Sequence, residues 1–182
     1  MFRPLKRRLG LVLALSVVIP QIATTGAATK AEQWSVCFTP PSGCAQVVAR
    51  LLDEARRSIR IQAYVMTSDI IARSLLNAAK RGVDVVILLD KSNRTSRYSA
   101  ADFYSRAGIP VKIDSLHAIA HNKVIVIDES TVVTGSFNFT KAADTRNAEN
   151  LLIVRDAELT AKYLENWRTH DRHSEDYISS NK

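Results

Sequence analysis

The chain has 182 residues and a net charge of +7, from 25 Lys+Arg against 18 Asp+Glu. That length makes one domain, and the lack of internal repeats or low-complexity stretches excludes a repeat array. The charge overstates the basicity of the folded part, because four basic residues and no acidic ones lie in the first 27 positions.

Those first positions read as an export leader. Arg3, Lys6, Arg7 and Arg8 precede an apolar run from Leu9 to Ile19, about eleven residues, right for a signal peptide and too short to span a bilayer. Small residues at Thr25, Ala27 and Ala28 place cleavage near Ala27. An uncleaved anchor is the alternative, but Pro20 and polar residues end the run. Residues 28–182 would then form a single periplasmic or secreted domain, with 21 Lys+Arg against 18 Asp+Glu, a net +3. So mild an excess does not by itself establish a nucleic-acid partner.

Further along, Val36 to Phe38 reads as a short strand. Cys37 and Cys44 flank Pro40, Pro41 and Gly43, a turn able to bring them together. Export favours their pairing as a disulfide between the first strand and the first helix. Two separate thiols are the alternative, and zinc is a weak case without further soft ligands nearby. Residues 44–57 read as a helix with Val47, Val48, Leu51 and Leu52 on one stripe. Ser58 to Val65 is a strand, followed by a helix from Asp69, as N-cap, to Arg81, with Gly82 ending it. Val83 to Leu89 is almost unbroken in apolar residues, as in a strand buried on both faces. Residues 99–107 form a short helix, Val111 to Ile113 a strand, Leu151 to Val154 another, and residues 156–168 an amphipathic helix. The polar tail from about Thr169 is expected to be loosely held. This alternation predicts an α/β fold with a mixed β-sheet flanked by helices on both faces.

Between positions 121 and 138 lies the densest chemistry. HNKVIVID followed by TVVTGSFN sets His121, Lys123 and Asp128 in a His-x-Lys-x4-Asp pattern, then Ser136 and Asn138 in Gly-Ser-x-Asn. Val124 to Ile127 and Val132–Val133 read as buried strands joined by an Asp128-Glu129-Ser130-Thr131 turn. A loop of two or of four residues sets Lys123 opposite Ser136 and His121 opposite Asn138. All four side chains would then meet on one patch. Asp128, the last member of the pattern, falls on the other parity and is expected to pin the turn rather than touch substrate.

These residues resemble the signature of the phospholipase D superfamily, and the run IQAYVMTSDIIARSLLNAAKRGVDVVILLDKS resembles the strand-helix-strand preceding it there. The likeness covers roughly residues 34–168. Glu149, in NAEN, resembles the acidic residue that orients the catalytic histidine. Most members carry two motifs per chain. This chain has one, since His117, His170 and His173 start no second His-x-Lys, and so it is similar to the small bacterial endonuclease branch, which builds one site from two identical subunits. The resemblance implies the phospholipase D/nuclease fold and a homodimer. In it, His121 is the nucleophile, Lys123 and Asn138 bind phosphate, and Ser136 does likewise or supports them. Glu149 accepts a hydrogen bond from His121 Nδ1, and no metal or cofactor is needed.

Lys91, Arg94, Arg97 and Tyr98 follow the most buried strand, where clefts of open α/β sheets lie. They are candidates to hold a polyanion backbone, with Tyr98 stacking on a base; a solvated charged loop is the alternative. His117, four before His121, sits in a loop rather than on a helix, so a groove or loop role is expected instead of a metal pair. The favoured substrate is DNA, with RNA left open. The runner-up is a phosphatidyl headgroup, for which Phe137 and Phe139 are the aromatic candidates for a docking loop, without stable membrane insertion after the leader is removed. A silent phosphate-binding module is the third reading.

Overall fold

The structure, a computed structural model, describes residues 33–41, 43–94 and 99–179. The leader, Arg97 and Tyr98 lie outside the described residues. Eight strands form one sheet there: β1 (Trp34–Thr39), β2 (Ser58–Ala63), β3 (Asp84–Asp90), β4 (Val111–Asp114), β5 (Lys123–Ile127), β6 (Thr131–Gly135), β7 (Glu149–Val154) and β8 (Glu175–Asp176). Their order across the sheet is β1-β7-β6-β5-β2-β3-β4-β8. The pairs β2–β3 and β3–β4 are parallel, and every other neighbour is antiparallel.

Helices cover the two faces unequally. Helices α1 (Cys44–Glu54) and α2 (Asp69–Lys80) bury Val48, Leu52, Ile71 and Leu75 in a large core with Ile59, Ile61, Ile87, Ile113, Ile125 and Val133. Each such side chain contributes about 1.5–3 kcal/mol by leaving water. Short helices α3 (Ala100–Arg106) and α4 (Lys141–Thr145) contribute Tyr104 and Ala143 to the same core. The other face carries α5 (Ala157–His173), whose Leu164 packs on Val124, Val126 and Val132. On that helix Trp167 donates its indole N–H to the Ile61 carbonyl, 2.9 Å away. Because β3 lies inside the sheet with Ile87, Leu88 and Leu89 all buried, its run of apolar residues shows no alternation. Cys37 and Cys44 form the expected disulfide between β1 and α1.

Helix α1 ends at Glu54 rather than residue 57 and β2 at Ala63 rather than Val65, and three further expectations change. Ser68, not Asp69, is the N-cap of α2, and Asp69 lies in its first turn, where a carboxylate suits the helix dipole. The chain after Thr169 is not loose: α5 continues to His173, and β8 pairs with β4. Lys112 holds the helix end by an ion pair to Asp171 at 2.6 Å, and Tyr177 N–H donates to the Val111 carbonyl. The polar residues there are spent on partners distant in sequence, which a local reading does not find.

The third change concerns the hairpin register. Ile127 pairs with Thr131, Ile125 with Val133 and Val124 with Thr134, so the turn has three residues rather than two or four. Lys123 is therefore level with Gly135, not Ser136. Asp128 and Glu129 adopt left-handed φ values of 52° and 57°, which side-chain-bearing residues rarely do. Three hydrogen bonds offset that cost: the Asp128 carboxylate accepts the N–H groups of Arg56, Arg57 and Ser58 at 2.9, 2.7 and 3.0 Å.

Candidate active site

The strand directions bring one end of the sheet together. The C-terminal ends of β2 and β3 lie beside the start of β5, the end of β6 and the start of β7. His121 and Lys123 enter from β5, Ser136 and Asn138 leave from β6, and Glu149 opens β7. Asp128 lies at the opposite end, beside Ser58 at the start of β2. It is a structural pin and takes no part in the site.

His121 is exposed, with its ring 4.8 Å from that of Tyr64 and tilted to it. Lys123 is buried, 8% exposed. Its ammonium donates to the His121 carbonyl at 2.7 Å and lies 5.5 Å from the centre of the Tyr64 ring. Burial lowers the Lys123 pKa, and the negative charge of Glu149 opposes that shift. A buried ammonium is costly without a counter-charge, so its position next to an open surface suits an anion arriving from solvent.

A bulge completes the patch. Ser136 and Phe137 N–H both donate to the Asn150 carbonyl, at 3.1 and 3.2 Å, so two residues of one strand oppose one of its neighbour. Gly135 makes this approach possible: its φ is +145°, and a Cβ there would lie 2.3 Å from the Asn150 oxygen. Beyond the bulge Phe137 and Phe139 are fully buried, and the Phe139 carbonyl accepts from Thr67 and Ser68 N–H, both at 2.9 Å. The two aromatics are thus anchors of the loop, and the docking-loop role considered for them fails. Between them stands Asn138, with its side-chain oxygen buried and unpartnered. That oxygen can only accept, so the group able to meet an anion is the NH2 of the same amide.

Glu149 departs from the expected role. Its carboxylate accepts the Ser136 hydroxyl at 2.6 Å and the Asn147 amide at 2.9 Å, and no hydrogen bond joins it to His121 within the chain. Its link to the motif is the charge acting on Lys123. Ser136 also accepts from Asn150 N–H, 3.1 Å away. Within the chain the serine therefore links the bulge to Glu149.

Two residues that sequence reasoning passed over position the site. Tyr64 follows β2 directly, and its N–H donates to the Asn122 carbonyl at 3.0 Å, docking the segment between His121 and Lys123. Asp90, the last residue of β3, accepts Ala120 N–H at 2.8 Å, one residue before His121. Burial raises the Asp90 pKa, but hydrogen bonds from Ser92 and Ala120 outweigh it and leave the carboxyl below its ordinary range. An acid ending an otherwise apolar buried strand was the available signal. The basic loop is partly committed: Lys91 donates to the His117 carbonyl at 2.9 Å, and Arg94 pairs with Glu175 at 2.6 Å. His117 faces neither His121 nor an open groove but Asp114, His170 and His173.

Comparison with known proteins agrees with this geometry. The family described as "Cardiolipin synthase, PLD-like domain" matches residues 48–170. A Rickettsia conorii protein named "Phospholipase D" is 53% identical over 133 residues, covering 73% of this chain and 66% of its own length. The chain thus spans just under two thirds of that relative. A Chlamydomonas reinhardtii protein named "Mitochondrial cardiolipin hydrolase" is 32% identical over 137 residues, 74% of this chain and 59% of its own. Among solved structures, Nuc from Salmonella typhimurium, a phospholipase D family member, superposes with a TM-score of 0.76 at 40% identity, covering 80% of this chain and 98% of its own. One His-x-Lys motif on a mixed eight-stranded sheet and these matches have a single reading: the chain belongs to the phospholipase D family of phosphodiester hydrolases, in its small single-motif branch.

Proposed function

We propose that this protein is a metal-independent endonuclease that hydrolyses phosphodiester bonds of DNA, with RNA an open second substrate, through a phosphohistidine. One observation carries the reading. At one end of the sheet stand an exposed imidazole, a buried ammonium and the Asn138 amide, whose NH2 is able to donate. They supply a nucleophile and neutral and cationic partners for phosphate oxygens.

The chemistry needs two imidazoles. His121 Nε2 attacks phosphorus, the P–O bond to the leaving group breaks, and a protonated second imidazole gives its proton to the departing oxygen. Water then attacks the phosphohistidine while the second imidazole, now neutral, takes its proton. The P–N bond breaks, and two inversions give net retention at phosphorus. Lys123 and Asn138 hold the non-bridging oxygens as charge gathers on them.

A second copy of the chain would supply the second imidazole by a two-fold contact through the site. An uncovered apolar stripe supports such a contact: Trp34, Val36, Phe38 and Leu152 are 56%, 44%, 61% and 36% exposed on β1 and β7. Phe38 is level with Asn150, which bonds Ser136. Export remains part of the proposal, and the Cys37–Cys44 disulfide suits an oxidising compartment.

A headgroup-cleaving phospholipase is the second reading. Leu116 and Ile119, 69% and 58% exposed just before His121, favour it, as do the names of the relatives. Burial of Phe137 and Phe139 argues against it. Plasmid DNA and phosphatidylcholine vesicles, each incubated with enzyme in EDTA, separate the two. Nicking without choline release supports the nuclease, and choline release without nicking overturns it. Mixing His121→Ala protein with wild type should lower activity as wild-type pairs are lost. A fully active monomer would contradict the shared site.

A further inference from the structure

Three of the four histidines in the chain converge away from the catalytic patch. Asp114 ends β4 and is fully buried, and His117 follows it by three residues. His170 and His173 lie three apart near the end of α5, a spacing that puts both on one helix face. His117 Nδ1 is 3.1 Å from each Asp114 oxygen, His170 Nδ1 is 2.7 Å from Oδ2, and His173 Nε2 is 3.3 Å from Oδ1. One ligand atom from each residue lies within 4.8 Å of the others.

Two arrangements fit three imidazoles around one carboxylate. In the first, each ring donates an N–H to Asp114. In the second, three ring lone pairs and the carboxylate share a cation. His173 favours the second, because its buried Nε2 stands 3.3 Å from Asp114 Oδ1, long and poorly aligned for a hydrogen bond but at the spacing of two ligands on one cation. Tetrahedral zinc with bonds of about 2.0–2.1 Å needs ligand atoms about 3.3 Å apart, close to the spacings of His117 and His173 from Asp114, while His170, at 2.7 Å, would have to move outward. We propose that Asp114, His117, His170 and His173 form a site for a divalent transition cation, of which Zn2+ best suits a three-nitrogen, one-oxygen donor set.

The site is structural. It ties the end of β4, the end of α5 and the loop leading to His121 at a point where Lys91 already holds the His117 carbonyl. All four ligands come from the protein, and none belongs to the proposed reaction. The inference is therefore independent of the proposed function, and binding rather than activity tests it.

The experiment uses tag-free, chelator-stripped, dialysed full-length mature protein, titrated with Zn2+ and with Co2+. The expected result is one equivalent per chain, strong visible absorption from four-coordinate Co2+, and a higher melting temperature with Zn2+. His117→Ala replaces a half-exposed ring and should fold. It and His173→Ala should weaken binding by at least about 100-fold, since groups merely supporting metal ligands already change affinity by about 10–100-fold. His121→Ala, altering the one histidine outside the cluster, should bind like wild type. No bound equivalent in wild type, unchanged affinity in both cluster variants, or loss of binding only in His121→Ala would overturn the proposal.

Discussion

The two ends of the β5–β6 hairpin use similar polar residues to opposite effect. At the turn, Asp128 is saturated: its carboxylate takes three backbone N–H groups, and its carbonyl accepts the Arg57 guanidinium at 2.6 Å. At the open end His121 faces solvent, Lys123 is buried against a carbonyl, and Asn138 keeps a polar atom unpaired. Polar groups with all their partners inside the chain hold a fold together. Polar groups left open to solvent are free to serve a ligand, and the one proposed here is a phosphate, met by the Lys123 ammonium and the Asn138 NH2.

Substitutions at the two ends should therefore fail differently. The largest effect is expected for His121→Asn, which removes the nucleophile. Activity should fall by at least about 10^4-fold, in line with loss of a nucleophile elsewhere, with an unchanged melting temperature. Next is Lys123→Met. The rate should drop by about 10^2–10^3-fold, as when one transition-state donor is lost, while stability holds or rises because a buried ammonium is no longer desolvated. A marked loss of stability with full activity in this variant would reverse the assignment of the two ends.

Asp128→Ala should do the converse, lowering stability by about 2 kcal/mol with little change in rate per folded molecule. Its effect depends on pH with a defined sign. Burial raises the Asp128 pKa, but the three backbone N–H groups outweigh it, so the folded value is depressed. Its contribution is fully present above the ordinary carboxylate pKa, about 3.9, and is lost as pH falls through the depressed value. Denaturation midpoints of wild type and Asp128→Ala should converge in that acid window and stay apart above it. The smallest effect is expected for Ser136→Ala, about tenfold in kcat, because the serine steadies Glu149 and the bulge. An equal loss in Ser136→Ala and Lys123→Met would mean that the hydroxyl touches phosphate.

Much of the fold was legible locally. The apolar run of β3 and the stripe of α1 follow from burial patterns that neighbouring residues carry, and the His121–Lys123 pair announced itself by spacing. What could not be read depends on contacts distant in sequence. The hairpin register turned on left-handed Asp128 and Glu129, residues that do not advertise that conformation as glycine would. Glu149 was given to His121, but Ser136 and Asn147 hold it through a bulge that Gly135 permits. His170 and His173 looked like tail residues because Asp114, more than fifty positions earlier, explains them.

The most direct test is to quench wild-type enzyme during turnover in EDTA, at a temperature where it stays folded, and to map phosphorus by mass spectrometry. Phosphorylated His121, absent from His121→Asn, is the predicted result. An active enzyme whose reaction leaves no phosphorus on His121, or leaves it on another residue, would contradict the assignment of the exposed imidazole as nucleophile.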